Sequence, residues 1–306
     1  MRVFFAAPAD DWTEWSDALR AACPEMQLSR DGDPADFDAV IYAPGYPEDG
    51  SALDFGAFAN ARIVQSLRAG VERITTNPTL TQPLCRMVDP GLAQGMVEYC
   101  TGWTLRCHLG MDALAQDGIW RGDAIPPLAS SRKVTVLGLG EMGGAVARTL
   151  KTLGFDVTGW SASGRPVEGI EVMGAADLPR ALDRAEVLIC LLPDTPATRG
   201  LLNRETLSLL PRNATLINAG RGSLIVEDDL LAALDTGRPG HAVLDVFATE
   251  PLPAAHPFWS HPAITVTPHV AAATRASSAA EVVAMNLRRA MAGQPLMYLV
   301  DRNRGY

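Results

Sequence analysis

At 306 residues the chain has the length of two domains, and a net charge of −9 with a sequence pI near 5.1 excludes a nucleic-acid partner, which would need clustered Lys and Arg. An apolar share of 47% with 20% charged residues is that of an ordinary folded chain. The longest apolar run, Val187 to Pro193, is far short of the ~18 residues of a membrane span.

In chain order, the opening Met1-Arg2-Val3-Phe4-Phe5-Ala6-Ala7 is too short for a signal peptide and is followed by Asp10 and Asp11, so Arg2–Ala6 is expected to be a strand. Met26–Leu28, Ala39–Tyr42 and Ile63–Ser66 are further strands, and Trp12, Trp15 and Leu19 mark a helix packed on them. A helical pattern from Leu92 to about Gln116 follows and predicts a connecting helix. From Ser131 onward, short apolar runs alternate with helical patterns, the signature of a parallel sheet: Lys133–Leu137, Phe155–Trp160, Val187–Leu192, Ala214–Asn218, His241–Asp245 and Ala263–Thr267. Glu141–Leu153, Glu227–Leu234 (closed by Gly237) and Ala276–Ala290 are expected to be helices. The fold class is therefore α/β, two Rossmann- or flavodoxin-like lobes with parallel sheets. The dinucleotide-binding lobe (99–275) is inserted into a substrate domain made of 1–98 and 276–306.

The five cysteines contain no C-x-x-C pair. Cys100 and Cys107 would share a helix face, but no nearby ligand completes a metal set, so no metal is expected and a reducing, cytoplasmic setting is.

The first chemical motif is Gly138-Leu139-Gly140-Glu141-Met142-Gly143. It follows a strand and opens a helix, the context in which G-x-G-x-x-G binds a dinucleotide. Gly138 permits the turn, Gly140 lets a pyrophosphate approach, and Gly143 lets helix and strand pack closely, with Met142 in the same turn. An NAD enzyme would carry an acidic residue at the end of the next strand. Here that strand ends Trp160-Ser161-Ala162-Ser163-Gly164-Arg165, with two hydroxyls and an arginine suited to a 2′-phosphate. NADP is favoured over NAD.

Three later strands bring polar residues to one edge: Arg221 in Asn218-Ala219-Gly220-Arg221-Gly222, Asp245 and Glu250 in the run from Asp245 to Pro253, and His269 in Pro268-His269-Val270. Reducing a 2-keto acid requires a held carboxylate, a polarised carbonyl and a proton. Arg221 suits the first two and His269 the third, with Glu250 orienting the ring. His108, His241, His256 and His261 are scattered and are expected to be structural or surface residues.

These motifs, with Asp245-Val246-Phe247-x-x-Glu250-Pro251-Leu252-Pro253 and Thr267-Pro268-His269-Val270-Ala271, resemble the D-isomer-specific 2-hydroxyacid dehydrogenases. Val226–Asp235, the tryptophan after the second strand and the ending Val300-Asp301-Arg302-x-Arg304-Gly305-Tyr306 are similar to the branch that reduces glyoxylate and hydroxypyruvate. The resemblance implies a catalytic set of Arg221, Glu250 and His269, with Gly70 and Val71 holding the substrate carboxylate. It places Ala219 and Asp245 at the nicotinamide end of the cofactor and Leu192, Pro193 and Thr198 along the adenosine. It also implies an active site in the cleft, a homodimer, and a Trp120 that reaches toward the partner subunit or else lies in the core. Relatives in that branch often carry Arg after the Trp-Ser pair, where this chain has Ala162; Arg165 is the residue available to replace it.

Two other readings use the same residues. The Gly-Leu-Gly-x-Met-Gly pattern also marks 3-hydroxyacid dehydrogenases, but those carry it at the N-terminus with a downstream lysine, whereas the only lysines here, Lys133 and Lys151, flank the loop. A non-enzymatic dinucleotide-sensing regulator would need a docking feature the sequence does not display.

Overall fold

Two parallel sheets organise the chain in the computed structural model, which describes residues 1–112, 119–120 and 122–302. In chain order the first elements are β1 (Arg2–Ala6), α1 (Ala9–Ala22), β2 (Gln27–Ser29), β3 (Ala39–Tyr42), β4 (Val64–Ser66), α2 (Glu72–Thr75), β5 (Leu84–Cys85) and α3 (Pro90–His108). Next come β6 (Lys133–Leu137), α4 (Glu141–Thr152), β7 (Asp156–Trp160), β8 (Glu171–Met173), α5 (Leu178–Asp183), β9 (Val187–Cys190) and α6 (Arg204–Ser208). The last are β10 (Thr215–Asn218), α7 (Glu227–Asp235), β11 (His241–Leu244), β12 (Ile264–Val266) and α8 (Ala276–Met291). Two compact units result, Met1–Leu92 with Ala273–Tyr306, and Ala93–Ala272.

The first unit has the strand order β2-β1-β3-β4-β5, the flavodoxin-like arrangement. Along β1, Val3 and Phe5 enter one buried cluster and Phe4 and Ala6 the other, so both faces of the sheet are covered, as parallel sheets require. Trp15 and Leu19 of α1 share the first cluster with Ala279, Ala280, Val283, Ala284 and Leu287 of α8. The buried Asn286 donates to Gln65 Oε1 (2.8 Å) and accepts the Met297 amide (2.8 Å), tying α8 to β4.

The second unit has the order β12-β11-β10-β9-β6-β7-β8, a doubly wound sheet that reverses direction between β6 and β9. Every pairing is parallel. In such a sheet ligands bind beyond the carboxyl ends of the strands, next to the point of reversal.

The structure adds the short helices α2, α5 and α6, which the sequence expectation did not name, and differs from it further in its strands and connecting helix. The sheet gains β8, only three residues long and flanked by Gly169 and Gly174, at an edge where a weak apolar run suffices. The first sheet gains the two-residue β5. The connecting helix stops at His108 because Gly110 takes a left-handed φ of 62° and the Met111 amide returns to the Arg106 carbonyl, a Schellman-type ending. The rest of that expectation, residues 113–116, lies outside the described residues. Among the described residues no helix is long and apolar enough to cross a membrane.

Candidate active site

At the carboxyl end of β6, Gly138 has φ +96° and donates its amide to the Trp160 carbonyl (2.9 Å). A Cβ there would stand 2.7 Å from the Leu191 carbonyl oxygen, so the turn lies directly against the segment leaving β9. A Cβ on Gly143 would stand 1.8 Å from the Gly138 oxygen; this glycine lets α4 start on top of the strand. Gly140 is different. Among the described residues, its own chain neighbours aside, no atom lies within 4 Å of a Cβ placed there, and no side chain caps the helix it begins. The space above Gly140, at the amino end of a helix, suits a pyrophosphate.

Beyond β7, the Gly164 amide closes a turn onto the Ser161 carbonyl (3.0 Å). Ser161 and Ser163 hydroxyls lie 3.5 Å apart, the Arg165 amide donates to Ser163 Oγ (3.4 Å), and Ser163 and Arg165 are exposed. The turn itself, from Ser161 to Arg165, carries no carboxylate. The Trp160 ring, by contrast, lies in the buried cluster with Leu137, Met173 and Leu192. After β9 the Thr198 hydroxyl donates to the Pro193 carbonyl (2.6 Å) and accepts the Thr195 amide (2.9 Å), closing the loop on itself.

Arg221 is set by its neighbours. Gly220 packs so that a Cβ would meet the Leu192 oxygen at 2.9 Å, and one on Gly222 would meet the Phe247 carbonyl carbon at 1.9 Å. Asn218 stitches the turn, donating to the Arg221 carbonyl (3.0 Å) and accepting the Gly220 amide (3.2 Å). Arg221 is half-buried and donates to the Gly220 carbonyl (2.7 Å). The bidentate pair with Arg199 holds the Asp194 carboxyl below its ordinary range, and Arg221 adds to that field.

His269 has a left-handed backbone, φ 53°, and its Nδ1 lies 2.7 Å from Glu250 Oε2. The other oxygen of Glu250 accepts the Phe247 amide (2.9 Å), which fixes the carboxylate. A carboxylate only accepts, so Nδ1 carries the proton and Nε2 is the nitrogen left for a substrate. The side chain is 53% exposed, which keeps it in exchange with solvent. Asp245, 1% exposed, turns both oxygens into the same loop: Oδ1 accepts the Thr267 hydroxyl (2.7 Å) and the Val270 amide (2.9 Å), and Oδ2 accepts the Ala271 amide (3.0 Å). Ala219 is buried beside these strands. Among the described residues no group of His, Cys, Asp and Glu side chains is suited to a metal.

Gly70 and Val71 belong to the other unit. Their loop is anchored by Ser66 Oγ, which donates to the Arg68 carbonyl and accepts its amide (both 3.0 Å), and by an Arg68–Asp11 ion pair (3.1 Å). Among the described residues no acceptor takes the Gly70 or Val71 amide. Trp120 is not a core residue: it is 96% exposed.

A family model described as the NAD binding domain of D-isomer specific 2-hydroxyacid dehydrogenases matches residues 104–271, more than half of the chain. The chain belongs to this family. A glyoxylate/hydroxypyruvate reductase A from Escherichia fergusonii is 37% identical, with both chains covered in full. A D-isomer specific 2-hydroxyacid dehydrogenase from Xanthobacter autotrophicus, solved with NADPH and MES, superposes with a TM-score of 0.90 at 34% identity, over 100% of this chain and 99% of that one. An NADPH-dependent glyoxylate/hydroxypyruvate reductase from Sinorhizobium meliloti, solved with NADP and sulfate, gives 0.89 at 36% identity over the same shares.

Sequence reasoning did not single out the stitching role of Asn218, the close approach of Gly222 to Phe247, or Thr267 as a partner of Asp245. The Asn218 and Gly222 roles had a signal, since both flank Arg221. The Thr267–Asp245 contact joins separate strands and leaves no local trace.

Proposed function

We propose that this protein reduces small 2-keto acids, glyoxylate and hydroxypyruvate among them, to the 2-hydroxy acids glycolate and D-glycerate, with NADPH as the preferred cofactor. The observation that carries the reading is the 2.7 Å His269–Glu250 pair, set on the same sheet edge as Arg221 and in the same unit as the glycine loop. The relatives named above, a reductase of these two acids and enzymes solved with NADPH or NADP, support the substrate class and the cofactor.

The residues present fit the dinucleotide. The space above Gly140 would receive the pyrophosphate, and Ser161, Ser163 and Arg165 would hold the 2′-phosphate. When bound, NADPH supplies the hydride that the substrate's carbonyl carbon accepts. Arg221 holds the substrate by a planar, charge-assisted pairing and draws electron density from the carbonyl. Gly70 and Val71, in the other unit, are the positions that the family resemblance assigns to the substrate carboxylate. Protonated His269 gives its Nε2 proton to the carbonyl oxygen, while Glu250 stabilises the imidazolium through Nδ1 and keeps the ring oriented. The exposed ring then takes a proton back from solvent, completing the gain of one hydride and one proton by the substrate.

The same reading makes the protein a homodimer, since Ile119, Trp120, Ile125 and Leu128 are all exposed large apolar side chains within ten residues of sequence. It acts in the cytoplasm, consistent with five free cysteines. The test is oxidation of NADPH and of NADH with glyoxylate, hydroxypyruvate, pyruvate and a bulkier 2-keto acid. NADPH and the small acids should turn over fastest, and His269→Ala should lose about 10²–10⁴ in kcat with cofactor affinity kept. Undiminished turnover in His269→Ala or Arg221→Ala would overturn the roles.

A further inference from the structure

The left-handed backbone of His269 costs a non-glycine residue about 1–2 kcal/mol and persists only where its surroundings impose it. The surroundings here are specific. The His269 amide donates to the Asp245 carbonyl (2.9 Å), and the next two amides donate to the Asp245 carboxylate. The rotamer of that carboxylate therefore decides whether the loop can keep its shape.

One further group holds the rotamer. The Thr267 hydroxyl donates to Asp245 Oδ1 at 2.7 Å, and Thr267 Oγ1 also lies 2.7 Å from the Tyr99 hydroxyl on α3. A threonine has a single hydroxyl proton, and an ionised carboxylate can only accept. The Thr267 proton is committed to Asp245, so the other contact must run from the Tyr99 O–H to Thr267 Oγ1. Burial pushes the Tyr99 phenol well above its ordinary pKa, with the nearby Asp245 charge acting the same way, so its proton stays in place. The helix under the loop is close by: a Cβ on Gly95, one turn before Tyr99, would stand 3.3 Å from the Ala272 Cβ. All of these residues belong to one unit.

We propose that Tyr99 and Thr267 are positioning residues for His269, a directed Tyr99→Thr267→Asp245 relay that locks the carboxylate and through it the left-handed loop that aims the ring at Glu250. The inference rests on the reading of His269 as proton donor. Without the relay Asp245 is free to rotate, the Val270 and Ala271 amides lose their acceptor, and the ring leaves Glu250.

The test compares Thr267→Val, Tyr99→Phe and the conservative Thr267→Ser with the unsubstituted protein, by two independent readouts. One is amide hydrogen exchange at Val270 and Ala271, expected to be about tenfold faster in the Val and Phe variants, the factor that corresponds to one hydrogen bond, and unchanged in Thr267→Ser. The other is steady-state reduction of glyoxylate: kcat about tenfold lower in the Val and Phe variants, with keto-acid KM and NADPH Kd within about twofold, and kcat restored in Thr267→Ser. Parental exchange at these two amides, or parental kcat in both variants, overturns the relay. So does a loss of kcat matched by equal losses in cofactor binding and thermal stability, which is what a merely structural role would give. If the unsubstituted protein reduces none of the keto acids, the functional reading fails on its own, and exchange at Val270 and Ala271 still decides the relay.

Discussion

Replacing Gly140 by alanine separates a glycine kept for a ligand from one kept for packing. Its φ of −70° is open to any residue, and among the described residues, its own chain neighbours aside, no atom lies within 4 Å of the added Cβ. Exchanging glycine for alanine at a helix N-cap costs about 0.5–1 kcal/mol, offset by about 0.4–1 kcal/mol from the less mobile unfolded chain. The net change is within about 0.5 kcal/mol, so Tm without cofactor should move by less than about 2 °C. Gly143→Ala is the contrast: its Cβ would stand 1.8 Å from the Gly138 oxygen, a backbone atom that no rotamer change can move aside. Overpacking of this kind costs about 3 kcal/mol, or roughly 6–12 °C in Tm for a chain of this size. The cofactor reverses the order. A methyl group in the space above Gly140 takes the place of the pyrophosphate and its charge-assisted bonds to the helix amides, about 1.5–3 kcal/mol each, so the Kd for NADPH should rise about ten- to a hundredfold. Thermal unfolding with and without NADPH, together with titration calorimetry, measures both effects. Equal destabilisation of the two variants, or NADPH binding by Gly140→Ala within about threefold of the parent, would refute the reasoning.

Arg165→Ala should weaken NADPH about tenfold and leave NADH unchanged, as loss of one guanidinium–phosphate contact requires; equal losses for both would remove the 2′-phosphate role. Glu250→Gln keeps the geometry but presents an uncharged amide to Nδ1, so kcat should fall about a hundredfold with little change in NADPH affinity, measured by steady-state kinetics and calorimetry. Burial holds His241 below its ordinary value of 6.5, with Arg106 lowering it further and Asp112 opposing. A depressed histidine contributes stability that is present above pH ~6.5 and lost as pH falls through the lower folded value, by at most about 1.4 kcal/mol per pH unit. The Tm of His241→Gln should therefore fall less steeply between about pH 6.5 and 5 than that of the parent.

Much of this could be read from the chain. Ala39–Tyr42 stands out as an unbroken apolar run and Lys133–Leu137 as a strand with apolar residues around the buried Thr135, and the structure has both with the same bounds. The glycine loop was legible because its three glycines answer to local needs of turn, approach and packing. Arg221, Glu250 and His269 were legible as residue types placed just after strand ends. The short edge strands β5 and β8 were not, because two or three residues carry no periodicity, and their pairing comes from the neighbouring strand. The stop at Gly110 was hidden by an apolar pattern that runs on past it.

The sequence by itself determined the α/β class, the course of the longer parallel strands, and which side chains are chemically equipped to bind a dinucleotide and move a proton. These follow from local chemistry and period. Tertiary structure alone decided how those side chains are held. Thr267 reaches Tyr99 across 168 positions of sequence, Asp245 spends its charge on the loop around His269, and Gly222 meets Phe247 at a distance that allows no Cβ. Such contacts join residues far apart in the chain, so no local pattern records them; only the packing of β10, β11, β12 and α3 brings them within bonding distance.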